Sequence, residues 1–446
     1  MPSFLLRSAG LVGAVALIPA VSAALAAVDV DTYKELDQFM SVFERVRSEY
    51  VDKVDDQTLI RGAIDGMLAS LDPHSSYLDA RDFQNLRTQT EGSYGGLGLT
   101  VSLEDGAVKV IAPTEDSPSD RAGIKAGDYI THLDGQLIFG GTLDEAVDKM
   151  RGAPGTKIRL TLVRPGRDKP FDVTLTREIV RLKAVKWEIK DRVGIVNINS
   201  FSKTTGEGVR AALTAIDKAA GGRPLGYVID LRSNPGGLLD QAIEVSDAFL
   251  ERGEIVSQRG RETGDIERYF AKAGDLAHGL PVIVLVDSGS ASAAEIVAGA
   301  LQDQRRGLVM GETTFGKGSV QTLLQLTDDT ALRLTTARYY TPSGRSVQEG
   351  GIRPDIQVPQ LTDPDRKDRP RLREADLRRH LINEAKINDD VLEDDLKDDP
   401  RFTATTEQLE KSGVKDFQLD YAVNTIARLA APGATPKLAA AESTQK

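Results

Sequence analysis

Cysteine does not occur in this 446-residue chain. Disulfides, metal–thiolate centres, thiol catalysis and lipidation of an N-terminal cysteine are therefore excluded. Histidine is scarce too: His74, His132, His278 and His380 are the whole complement. None stands in a turn motif of the hydrolase type, so nothing selects a partner for a Ser-His-Asp triad, and the default role of His74, in LDPHSSYL, is structural. Basic clusters with interleaved aromatics are missing and the formal net charge is −11, which argues against nucleic acid as a partner. No motif requires a metal or an organic cofactor. The length leaves room for two or three domains.

Residues 1–26 read as a secretory signal peptide. Arg7 gives the positive start, and LVGAVALIPAVSAALAA is an Ala-rich apolar stretch containing Pro19, with small residues at the −3 and −1 positions before Ala24 (Val21, Ala23) and before Ala27 (Ala24, Ala26). An uncleaved anchor is the competing reading, because the stretch approaches the ~20 residues a bilayer requires. The proline and the small residues favour cleavage. On either reading the globular part is exported, and a periplasmic location is expected.

The rest divides by pattern. Residues 31–92 look helical: Phe39, Val42, Phe43, Val46 and Tyr50 recur at 3/4 spacing, and Leu59, Ile64, Met67 and Leu71 continue after a break. Such a short amphipathic pair cannot bury its faces alone and is expected to dock on the core or on another subunit. Residues 93–178 read as a β-rich module in which TLDEAVDKMRG supplies a helix and KIRLTLVRPG with KPFDVTLTR an alternating hairpin. Its Gly95-Gly96-Leu97-Gly98 run is no dinucleotide fingerprint, since no helix follows. Residues 179–360 alternate apolar runs (VGIVNI, GYVIDL, PVIVLV, GLVMG) with amphipathic helices such as DQAIEVSDAFL, which predicts an α/β domain. Residues 361–446 are dense in both charges up to a short helix at DFQLDYAVNTIARLA. They read as a charged connector, a docking helix and a disordered tail.

The chemistry concentrates between Asp287 and Gln321. PVIVLV precedes it as a strand and AEIVAGALQ repeats apolar residues at helical spacing, so Ser292 falls where a helix begins. The first amides of a helix lack intrahelical partners, and a nucleophile beside them has a site for a developing oxyanion. The plainer reading of Ser292-Ala-Ala-Glu295 is a capping box. Lys317, enclosed by Gly316 and Gly318 in an apolar context, shifts the balance. Burial favours the neutral amine that a general base needs; moving its pKa from about 10.4 to near 7 takes roughly 4–5 kcal/mol. Gln321, four residues on, shares a face with Lys317 if the segment is a strand, and could hold the amine. Ser290 is the rival nucleophile. Gly311 to Lys317 also reads like the start of a phosphate-binding loop, but Gly318 stands where a Ser/Thr must hold magnesium and a strand follows where a helix is required.

The S-A-S-A-x-E turn, the G-K-G lysine twenty-five residues after the second serine and the glutamine four further on together resemble the carboxyl-terminal processing (tail-specific) proteases, peptidase family S41. The resemblance implies a serine endopeptidase with Ser292 as nucleophile, Lys317 as general base and Gln321 orienting the lysine. It implies a crotonase/Clp-like spiral α/β core over 179–360. Ala293 and the Asn234-Pro-Gly236-Gly237 turn would supply the oxyanion amides; the sequence does not choose between Gly236 and Gly237. With A-G-I-x-x-G-D-x-I-x-x-x-D-G (Ala122 to Gly135), residues 93–178 resemble a PDZ domain, which puts Leu97, Gly98 and Leu99 at a loop whose amides receive a peptide carboxylate. Leu97 and Leu99 serve equally well as ordinary core residues. By the same comparison residues 31–92 are a dimerisation element, making a homo-oligomer. The expected partners are protein or peptide substrates with apolar C-termini, with an adaptor protein as a further candidate. The alternative from another class is a non-catalytic PDZ scaffold on a degenerate hydrolase core, against which the intact Ser, Lys, Gln and Gly-Gly positions argue.

Overall fold

Four runs rich in Val, Ile and Leu build the centre of the molecule, apolar along most of their length, which suits strands covered on both faces. In the computed structural model, which describes residues 30–104, 106–365, 372–385 and 401–431, these runs lie side by side. The sheet order is Val185–Lys190, Val193–Ile198, Gly226–Asp230, Val282–Val286, Leu308–Gly311 and Ile356–Gln357; the first pair is antiparallel and the rest are parallel. Helices Thr205–Ala219, Leu239–Asp247 and Ala293–Asp303 contribute to the cluster on one face, around Val196, Ile229 and Val284. Helix Phe417–Leu429 covers the other, setting Ala422, Val423 and Ile426 on Val193, Val228 and Ile283. The docking helix of the sequence reading therefore docks on its own core. The signal-peptide segment 1–26 and the tail beyond residue 431 lie outside the described residues.

A second, antiparallel sheet runs Ser76–Leu78, Ala331–Tyr340, Glu254–Arg259 and Ile266–Phe270, with Ser319–Gln325 paired to Ala331–Tyr340. Its first strand corrects the helical reading of residues 31–92. Helices Val30–Glu49, Asp56–Ala69 and Ala80–Glu91 are present, but the second stops at Ala69 and a turn built on Asp72 follows. That carboxylate accepts from the His74 and Ser75 amides at 2.8 and 2.9 Å, a local turn that competes with helix.

The chain divides into two compact units, residues 1–66 and 67–446. In the first, Tyr33, Leu36, Phe39, Val42 and Tyr50 are exposed. In the second, the β-rich module is an insertion, since strand Ser76–Leu78 precedes it and belongs to the core. Its sheet packs Val110, Ile130, Leu160 and Leu162 with helix Leu143–Met150 into a separate small core. A two-stranded ribbon, Ser93–Gly96 against Glu178–Arg181, closes its base.

Candidate active site

Three adjacent parallel strands, Gly226–Asp230, Val282–Val286 and Leu308–Gly311, end at one edge of the central sheet, where ligand sites of open α/β sheets form. The loops that leave them carry the Asn234-Pro-Gly-Gly turn, Ser292 and Lys317. Ser292 caps helix Ala293–Asp303 with φ +54° and ψ −111°, a conformation costing a β-carbon residue on the order of 1–3 kcal/mol and typical of functional turns. Its hydroxyl lies in capping position but makes no cap hydrogen bond. Ser290 is fully buried; its hydroxyl donates to the Leu231 carbonyl at 2.8 Å and accepts from the Asp287 amide at 2.9 Å. Ser290 is thus committed to holding the loop on the neighbouring strand.

Glu295 connects the two halves of the site. Fully buried, it turns one oxygen, Oε2, to the amides of both Ser292 (2.7 Å) and Lys317 (3.0 Å), while Oε1 takes the Thr314 hydroxyl (2.5 Å) and the Gly316 amide (2.7 Å). Burial pushes its pKa up to about 7 against the pull of these four donors. The sequence reading saw only the capping-box half of this residue.

The two glycines around Lys317 are explained by packing. A β-carbon at Gly316 would run into the Glu349 carbonyl, and one at Gly318 into the Gln348 nitrogen. Burial pushes the Lys317 amine below its ordinary pKa, helped by Arg333 and opposed by Glu374, Glu295 and Asp72. The amine and the Ser292 hydroxyl make no hydrogen bond to each other among the described residues, an interval that active sites commonly tighten only around substrate.

Gln321 is not where strand parity puts it. Lys317 precedes the strand Ser319–Gln325, and the register shifts between Val320 and Gln321. The Gln321 amide donates to Ser319 Oγ (3.0 Å) and Thr335 Oγ1 (3.3 Å) instead of to the lysine. Thr335 Oγ1 in turn donates to Asp72 at 3.1 Å.

The glycine turn separates its two candidates. The Gly236 amide donates to Asn234 Oδ1 at 2.8 Å, which leaves it unavailable to a substrate. Among the described residues the Gly237 and Ala293 amides have no such protein acceptor. Gly236 instead supplies close approach: a β-carbon there would lie 2.7 Å from the Ala291 carbonyl and 2.9 Å from Ser292 Cβ.

In the inserted module a groove of about 420 Å³ lies between the strand starting at Leu99 and the helix residues Val147 and Met150, with Thr88 and Gln89 of helix Ala80–Glu91 on its far wall. Leu97 is a core residue, 2 % exposed, and Leu99 packs partly on the same core. Gly98 has φ +75°. Its carbonyl accepts from the Thr114 amide and Ser119 hydroxyl, and a side chain there would strike Ser117 inside the domain rather than fill the groove. The Tyr94 hydroxyl faces the Gly98 amide; burial pushes the phenol's pKa up, and nearby Arg151 and the amide pull it back.

Comparison with known proteins bears on the family. A model of peptidase family S41 matches residues 192–358, one of the PDZ domain residues 109–164, and one of the activating protease CtpB N-terminal domain residues 20–82. The carboxy-terminal-processing protease of Bartonella bacilliformis is 54 % identical over 331 residues, 74 % of this chain and 76 % of that protein. The chain belongs to peptidase family S41. The carboxy-terminal processing protease CtpA of Bacillus subtilis is 36 % identical over 326 residues, covering 73 % of this chain and 69 % of the relative. Among solved structures, a photosystem II D1 C-terminal processing protease aligns with a TM-score of 0.42 at 30 % identity, over 72 % of this chain and 92 % of that one. This S41 protease is a mixed α/β protein with a PDZ domain. Sequence reasoning missed Glu374 and Asp72 around its lysine and gave His74 no part there; the DPHS stretch was noticed, whereas Glu374 is hidden in a run of charges.

Proposed function

We propose that this S41 protease is an exported serine endopeptidase that draws in protein chains by their C-termini and cuts them with Ser292 and Lys317. The observation that carries the reading is the shared acceptor Glu295 Oε2, which ties the serine and lysine backbones together beside an amine whose burial favours its neutral form. Lys317 takes the Ser292 proton as the serine attacks a peptide carbonyl. The Ala293 and Gly237 amides receive the oxyanion, the protonated lysine gives its proton to the leaving amine, and water releases the acyl-enzyme. Gln321 acts through Thr335 on the wall behind the lysine. The PDZ groove takes apolar C-terminal tails, residues 1–26 direct export to the periplasm, and the exposed helix faces of residues 30–66 serve self-association or an adaptor.

Lys317→Arg tests the reading, because a guanidinium does not release its proton near neutral pH. Cleavage of a peptide substrate is expected to fall at least ~100-fold, as for loss of a general base, with the thermal unfolding curve retained. Near-normal turnover would remove Lys317 from the mechanism. Failure of the unmodified protein to cleave peptides or to take a fluorophosphonate on Ser292 would leave the scaffold reading.

A further inference from the structure

Residues 372–385 lie in the stretch that reads as a connector, yet they enter the active site. Glu374 is fully buried although its neighbours in sequence are mostly charged. Its amide donates to the Phe315 carbonyl at 3.1 Å, two residues ahead of Lys317. Its carboxylate accepts from Gln348 Nε2 at 2.9 Å and stands 2.8 and 3.0 Å from His74 Nε2. Gln348 Oε1 accepts the Gly318 amide at 3.0 Å. Segments 300 residues apart thus meet on the loop that carries the lysine.

A buried carboxylate is costly unless it is partnered, and for tying Gln348 in place a neutral amide would serve. We propose that Glu374 is a positioning residue for Lys317: with His74 and Gln348 it fixes the Gly316–Gly318 loop and places a negative charge beside the amine. Four charged groups face that amine: Arg333 from strand Ala331–Tyr340, Glu374, Glu295 from helix Ala293–Asp303, and Asp72 from the turn before Ser76. Glu295 and Asp72 are each saturated by four hydrogen bonds to nearby amides and hydroxyls. Among the described residues Glu374 has Gln348 and His74 as its side-chain partners, so its charge is less spent.

The proposal rests on Lys317 as the base. Its test is the pH profile of kcat/KM on a peptide substrate for the full chain, Glu374→Gln, His74→Phe and Lys317→Ala, with thermal unfolding of each. Glu374→Gln keeps size and the Gln348 contact while removing the charge that favours protonated lysine. The acidic limb is expected to move to lower pH by on the order of one unit. Glu295 is common to the profiles, so the difference reports the lysine. A Glu374 that only braces the fold lowers the whole profile without moving the limb, and that result overturns the proposal. Should Glu374→Gln not fold, His74→Phe decides: taking the donor away weakens the partnering that keeps a buried carboxylate charged, so the limb again moves to lower pH, and an unmoved limb overturns the proposal. Activity retained in Lys317→Ala would overturn the Ser–Lys reading itself, a separate outcome.

Discussion

The backbone holds Lys317 while its side chain goes without an ion pair among the described residues. The Gly316 and Lys317 amides end on Glu295 and the Gly318 amide on Gln348, so the loop keeps its shape whether or not the amine carries a charge. The arrangement should weaken the fold. A lysine whose folded pKa lies below that of the unfolded chain destabilises fully at pH below the folded value, and the penalty disappears as pH rises toward the ordinary 10.5. Lys317→Met should therefore be more stable than the parent at pH 7, by on the order of 1 kcal/mol or more, in urea denaturation, with the gap closing near pH 10. Equal stability at pH 7 would mean that the amine finds water. Part of this was legible: a lysine between two glycines announced burial, and the glycines prove necessary for close backbone approach. The linking role of Glu295 was hidden because S-x-x-E is fully accounted for by a helix cap. Only tertiary structure brings the Gly316–Lys317 amides to the same carboxylate.

Among the elements, the strands and the principal core helices followed from their patterns, while the partner of the last helix did not. Its stripe of Ala422, Val423 and Ile426 says that one face is buried but not against what. The information lay elsewhere: a strand such as Gly226–Asp230, buried at every residue, needs cover on both faces, and the helices between the strands supply only one. The same helix also reaches the catalytic edge. Asp416, its capping residue, pairs with Arg232 at 2.8 Å, and Arg232 pairs with Asp230 at 2.6 Å, just ahead of the Asn234-Pro-Gly-Gly turn. Asp416→Asn should lower stability by roughly 1–3 kcal/mol, the range for a charge-assisted hydrogen bond, read from urea denaturation. Peptide binding by the PDZ domain should not change, since no groove residue touches this helix.

At the scale of the whole molecule, the strand that closes the ribbon at the base of the PDZ domain, Ser93–Gly96, runs directly into Leu97 and Gly98, and Tyr94 on that strand faces the Gly98 amide. The sequence gave no hint that the groove's own tyrosine reaches the loop, which depends on the turn at Gly98. A neutral hydrogen bond there is worth about 0.5–1.5 kcal/mol. Tyr94→Phe should accordingly lower KM for free-acid peptides by roughly two- to tenfold, without changing KM for peptides amidated at the C-terminus. An equal effect on both would dissociate Tyr94 from carboxylate recognition.

Every polypeptide in the enzyme's surroundings ends in a carboxylate, so an open amide would be occupied most of the time by whichever tail is most abundant. A phenol already seated at Gly98 subtracts the same amount from the binding of every tail. It leaves their ranking intact and multiplies all their dissociation constants by one factor, as a minor competent state does in any selection by conformation. Every tail then needs a proportionally higher concentration to fill the groove, so the groove stands empty more of the time while its preference among tails is unchanged.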